Sequence, residues 1–301
     1  MGLVGRTPSF DERDRTRVAA VLPTTVMASP AGAAIIGLSE IMQKDERMAK
    51  VIARTNPVLE RGDVYFLYRP RVGSDEVHGL RDVERLYILL KPWRDHVYRL
   101  IIVGRKKLPD PEEHNRFWAF VWRVFRDRAS LNAELGEKEY ETKTRGVRRV
   151  PAVRPAAEGI YAIVRHGDHT HLAYVVELPK REGPAERELN IKREASYILA
   201  VRNPASPRPP GTGLDPEHDA RFPKTLQRKF AGRRFAPVDP PDFLDHEGAE
   251  LVLIGAAQDA EEDLGIAFKP DHETEHTADV FRDLRLPREV AREPLLKGEW
   301  A

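Results

Sequence analysis

Residues 110–125 read DPEEHNRFWAFVWRVF, and residues 215–230 read DPEHDARFPKTLQRKF. The two stretches open alike, reach Arg-Phe at the same offset (Arg116-Phe117 and Arg221-Phe222), and end on Phe125 and Phe230. In the first, Asp110 stands as an N-cap, Pro111 takes the first helical position, and Glu112 and Glu113 face the positive end of the helix dipole. Phe117, Phe120, Val121, Val124 and Phe125 then fall at helical spacing, which predicts an amphipathic helix lying on a sheet. In the second, Pro223 has to start a fresh turn, leaving a weaker helix lined by Leu226 and Phe230.

The echo extends upstream. Gly62-Asp63-Val64-Tyr65-Phe66-Leu67 resembles Gly159-Ile160-Tyr161-Ala162-Ile163, and Leu100 to Val103 resembles Ile198 to Val201. Apolar runs predict strands at Val64–Tyr68, Arg85–Leu90, Val97–Val103, Ile160–Val164, Leu172–Leu178, Ser196–Val201 and Glu250–Ile254. Continuous runs such as Leu86 to Leu90 indicate strands covered on both faces, and short links such as Lys91–His96 favour antiparallel hairpins. The expectation is an α+β fold: two tandem, internally duplicated antiparallel-sheet units, each followed by a helix, packed with pseudo-twofold symmetry. Its divisions are an N-terminal arm and helix (1–56, with the helix over Ala33–Arg54), a first repeat (57–142), a second repeat with a basic linker (143–256) and an acidic tail (257–301).

With 301 residues, 41% of them hydrophobic and 32% charged, the chain reads as an ordinary globular protein. The mildly apolar stretch from Val18 to Leu38 is interrupted by Pro23 and Pro30 and falls short of the roughly 20 apolar residues of a membrane helix, so a cytoplasmic protein without membrane contact is expected. The absence of cysteine excludes thiol nucleophiles, disulfides and iron–sulfur ligation. No nucleophile elbow or dinucleotide fingerprint is present, and Pro209–Leu214 lacks the lysine of a phosphate loop.

A net charge of +1 conceals an uneven distribution. Lys143, Arg145, Arg148, Arg149 and Arg154 form one basic run, and Arg228, Lys229, Arg233 and Arg234 belong to another. Arginines in a Pro- and Gly-containing segment suit phosphate contacts, so the leading expectation is a non-catalytic protein whose basic segments engage a polyanion, nucleic acid foremost. The acidic tail either folds back over the basic face, stays mobile, or recruits a protein partner through Val280, Phe281, Leu284 and Leu286. Two alternatives stand beside this. His166, His169 and His171 flank a Gly167-Asp168 turn, so three imidazoles can meet at one divalent metal, centring a metal-dependent enzyme. The third reading is a scaffold or self-assembling protein, a homo-oligomer built through exposed strands or helices.

Overall fold

The computed structural model describes residues 56–301 apart from 75, 144–145, 208–215, 271–272, 275–276, 287–293 and 301. The helix expected over Ala33–Arg54 lies outside the described residues. Each strand expected from the apolar runs is present, as β1 (Val58–Pro70), β2 (Val83–Pro92), β3 (Tyr98–Val103), β7 (Arg154–His166), β8 (His169–Leu178), β9 (Glu194–Arg202) and β11 (Glu250–Ala257). Four more complete the set: β4 (Arg116–Phe125), the hairpin β5 (Lys138–Thr142) and β6 (Gly146–Val150), and β10 (Phe235–Pro237).

The α+β expectation is overturned. Eight strands close in the order β9-β11-β4-β3-β2-β1-β7-β8 and back to β9, all antiparallel, so the two expected sheets are the halves of a single barrel. The decisive error lies in DPEEHNRFWAFVWRVF. Asp110 does accept a hydrogen bond from the Glu112 amide at 3.0 Å, but only a turn follows, and Arg116–Phe125 is strand β4. An almost unbroken apolar run satisfies period 2 as well as period 3.6. Phe117, Ala119 and Val121 point inward, while Phe120 and Trp122 belong to the outer layer. Tertiary pairing settles the choice, because β4 has a partner on each side, β3 and β11. At the second site Asp215 lies outside the described residues and Pro216–His218 forms one 3-10 turn; helix α3 (Lys224–Lys229) forms after Pro223 and buries Leu226 and the following Phe230.

The interior is filled, as it is in barrels of about eight strands. Val64, Phe66, Tyr68, Ile88, Ile101, Tyr161, Tyr174, Tyr197, Leu199 and Leu251 share one core cluster. Gly62 and Gly159 make room in it. A Cβ at Gly62 would fall 2.6 Å from Tyr161 Cε1, and one at Gly159 would fall 2.0 Å from the Val175 carbonyl oxygen. At the far end of β1, Trp300 meets Tyr68 edge-on at 5.1 Å.

The outer wall is apolar too, and it is covered. Tyr65, Leu67, Tyr87, Leu89, Leu100 and Ile102 pack under helix α1 (Arg128–Leu135) and under Val280, Leu284 and Leu286 of the C-terminal segment. Asp127 caps α1, accepting from the Ser130 amide at 2.8 Å. Helix α2 (Pro184–Leu189) meets the chain end, where the Ala185 amide donates to the Gly298 carbonyl at 2.9 Å. Over β7 and β8, Ile160, Ala162, Val164 and Ala173 lie beneath Leu264, the last residue of helix α4 (Ala260–Leu264), and Phe268 beyond it. The residues expected to recruit a partner are thus largely engaged: Val280, Leu284 and Leu286 are buried and Phe281 packs beside them.

Buried carboxyls pin this wrap. The first turn of helix α5 (Asp279–Arg282) donates to Glu158 of β7, from the Asp279 amide at 3.1 Å and the Val280 amide at 2.7 Å. Burial raises Glu158 to about 8 and, helped by Asp63, Asp279 to about 6; burial also raises Glu186 on α2 to about 7. The folded chain therefore holds protons that the unfolded chain releases, and stability falls as pH rises from about 4.5 through about 8. The thermal midpoint is expected to drop across that window, and Glu158→Gln should flatten the decline; calorimetry from pH 5 to 9 on both chains, pH values that bracket about 8, checks it. A second expectation is steric: Gly159→Ala should destabilise by about 2 kcal/mol or more in denaturant titration, because backbone rather than a mobile side chain blocks the new methyl.

Candidate functional site

At the end where β1 begins and β7 finishes, the barrel interior gives way from hydrocarbon to charge. Arg99 of β3 points inward and is 1% exposed. Its Nη1 donates to Glu60 Oε1 at 2.6 Å and its Nε to Asp245 Oδ1 at 2.7 Å. Tyr161 Oη donates to the same Glu60 oxygen at 2.8 Å. Local sequence sets these positions. Glu60 and Tyr161 fall on inward positions of β1 and β7, and Asp245 ends the 3-10 turn Pro241–Asp245, which is anchored by buried Phe243 and Leu244.

Burial works against the Arg99 charge, but the carboxylates of Glu60 and Asp245 outweigh it and hold the guanidinium pKa above its ordinary value. Burial, reinforced by Glu60, pushes the Tyr161 phenol up, so it remains a donor. Above this floor opens a cleft of about 610 Å³, lined by Val58, Leu59, Arg61, Trp93, Arg94, Asp95, Val97, Arg126 and Asp242 as well as by Glu60, Arg99 and Asp245. That volume lies within the few hundred to about 1,000 Å³ usual for small-molecule sites. Trp93 is 54% exposed at the rim and its indole donates to Asp63 Oδ1 at 2.6 Å.

The floor is a charge cluster of one cation and two anions with directional bonds, and its second oxygens are uncommitted. Glu60 Oε2 and Asp245 Oδ2 accept no hydrogen bond from the described residues. At the rim, Arg94 and Arg126 form no ion pair with a described residue, whereas Arg61 lies over the Phe268 ring at 5.7 Å. In total Arg61, Arg94, Arg99 and Arg126 balance Glu60, Asp95, Asp242 and Asp245.

The residues singled out in the sequence lie elsewhere. Lys143 sits exposed in the turn between β5 and β6; Arg145 lies outside the described residues. Arg148 is half-buried opposite Tyr140, and Arg149 pairs with Glu137 at 2.8 Å. Arg154 is 8% exposed, within the barrel wall. Arg228 and Lys229 are exposed on α3, with Arg233 and Arg234 exposed just beyond it. Arg154 opens the 13-residue strand β7, while Arg233 is near enough to the turn that ends this strand to act on Asp168. Arg154 and the second basic run thus lie toward opposite ends of β7. Glu137, Glu139 and Glu141 interleave the first run.

The histidines do come together. His166 pairs with His169 across the β7–β8 turn and Val164 pairs with His171, which places all three rings on the outer wall. Their centroids are 4.9–5.4 Å apart. Burial, with the two neighbouring rings, lowers His171 to about 3, so it is neutral across the physiological range.

Compared with known proteins, the chain matches no family model, no curated protein and no solved structure. The mouth was missed in the sequence because Glu60, Arg99, Tyr161 and Asp245 are scattered over 186 positions and only barrel closure unites them. The available signal was Arg99 inside the apolar run from Val97 to Val103. A charge among inward positions requires a buried partner. Removing one member of such a cluster leaves uncompensated charge, so Arg99→Ala should cost about 3–5 kcal/mol in urea unfolding. Rim variants such as Arg94→Ala should stay within about 0.5 kcal/mol of the parent chain.

Proposed function

We propose that the protein is a small-molecule-binding barrel whose ligand sits in the mouth above Glu60, Arg99, Tyr161 and Asp245, and that the ligand is a small zwitterion with an apolar part. The observation that carries this reading is the fixed floor at the base of a cleft of about 610 Å³. A pocket with few convergent, buried polar groups is the commonest form of ligand site. Preorganisation supports it further, since Arg99 is already held by two carboxylates and need not reorganise on binding.

Charge balance selects the ligand class. Four arginines against four acids offer no surplus field for a polyanion, but they separate the signs in space. The open oxygens of Glu60 and Asp245 at the floor suit an ammonium group. Arg94 and Arg126 at the rim suit a carboxylate, for which the guanidinium fork is well matched. Trp93, Val58 and Val97 supply the apolar contact.

The test is calorimetric titration of the full chain with free amino acids and betaines, beside citrate and a polyphosphate. At least one zwitterion should bind, at least tenfold tighter than either polyanion. Arg126→Ala should weaken that binding by about tenfold or more, consistent with roughly 1.5–3 kcal/mol for a charge-assisted hydrogen bond. Absence of binding by every zwitterion, or binding unchanged in both Arg126→Ala and Trp93→Ala, would sink the proposal.

A further inference from the structure

We propose that His166, His169 and His171 form a binding site for one divalent first-row transition ion of the zinc type, on the outer wall of the barrel and separate from the mouth. One candidate ligand atom from each residue lies within 4.8 Å of the other two. The hairpin produces this geometry through pairing alone, because directly opposed residues in an antiparallel ladder share a face. His166 closes β7 across from His169, and His171 follows two residues on.

The strongest sign of a ligand is what His171 lacks. It is 3% exposed, yet neither Nδ1 nor Nε2 has a hydrogen-bond partner among the described residues, and His166 Nδ1 is buried in the same condition. A buried polar atom without a partner costs about 1–3 kcal/mol, so a histidine that served only as filler would cost more than an apolar residue of its size. A metal ion satisfies such nitrogens by taking their lone pairs. His169 is prepared for the same role: Asp168 Oδ1 lies 3.0 Å from its Nδ1. A carboxylate accepts only, so Nδ1 carries the proton and Nε2 is left as the donor atom, the arrangement in which a carboxylate orients a metal-binding imidazole.

The donor set selects the ion. Three imidazoles without a carboxylate or a sulfur ligand among them disfavour magnesium and calcium, which need oxygen, and copper(I), which prefers sulfur. Zinc, cobalt(II) and nickel(II) accept imidazole nitrogen at about 2.0–2.1 Å, which places tetrahedral ligand atoms about 3.3 Å apart. Ring rotation of the half-buried His166 and His169 closes the remaining distance around the fixed His171. The His169 side chain is 37% exposed, so a fourth position faces solvent and the ion can exchange.

The experiment uses the full chain without an affinity tag, stripped with chelator, and titrated with zinc by calorimetry and with cobalt(II) by visible absorption. The expected result is one ion per chain and the visible d–d bands of nitrogen-ligated cobalt. His169→Ala, at a half-buried position, should retain the parent circular dichroism and weaken binding at least 100-fold. Asp168→Asn should weaken it by about tenfold, the range usual for the partner of a metal-binding histidine. The proposal fails if the parent chain takes up no ion at micromolar concentration. It also fails if stoichiometry and affinity are unchanged in both His169→Ala and His166→Ala, which would assign the ion to histidines elsewhere in the chain.

Discussion

The ladder between β4 and β11 runs from Phe120 opposite Glu250 to Arg116 opposite Ile254, and it turns a curved antiparallel sheet into a ring. Closure leaves each of the eight strands with a neighbour on both sides, so unpaired edges are abolished around the ring. It also fixes direction: inward positions on every strand must fill one volume, and a register slip by one residue would turn each side chain to the wrong face. The interior accepts the Tyr161 ring because Gly62 leaves it space, while Gly159 lets the β7–β8 ladder close against the Val175 carbonyl.

An eight-stranded barrel of this sequence has a second problem, since its outer wall is as apolar as its inside. The solution is a sleeve made of α1, α4 and the C-terminal segment, and its attachments are polar where it meets the wall. Arg69 of β1 donates to the carbonyls of Glu134 and Pro151, both at 2.7 Å, anchoring the end of α1. Lys91 of β2 pairs with Asp63 at 2.9 Å and also with Asp283 of the C-terminal segment. Apolar area supplies the attraction here, and the buried charges set where the sleeve docks.

Strand existence was legible because apolar runs bounded by glycine, proline and charge carry the period directly. Val64–Tyr68, Leu172–Leu178 and Ser196–Val201 all read correctly at that level. The Gly62 and Gly159 echo was visible too, and those two strands turn out to be hydrogen-bonded neighbours, with Gly62 opposite Tyr161 and Val64 opposite Gly159. What misled was DPEEHNRFWAFVWRVF, where good local signals for a helix start precede a run equally suited to a strand, and long-range pairing decides. Among site residues, the histidines were legible since one hairpin holds them all. The mouth was not, because its residues meet only through the topology.

Arg99 and His171 show two ways in which this barrel handles a polar group withdrawn from water. Around Arg99 the protein supplies its own counter-charges: Glu60 and Asp245 accept from the guanidinium, and Tyr161 donates to Glu60. Around His171 it supplies two further imidazoles and, among the described residues, no hydrogen-bond partner for either ring nitrogen. Both lie at the same end of the molecule, where β1 starts with Val58 opposite Val164 and β7 runs out at His166. At the opposite end Trp300 packs edge-on against Tyr68, whose ladder partner is the buried Arg154. Natural folds depart from local consistency mainly where function requires it. On that principle the two proposed sites, the mouth and the histidine cluster, fall on one end of the barrel.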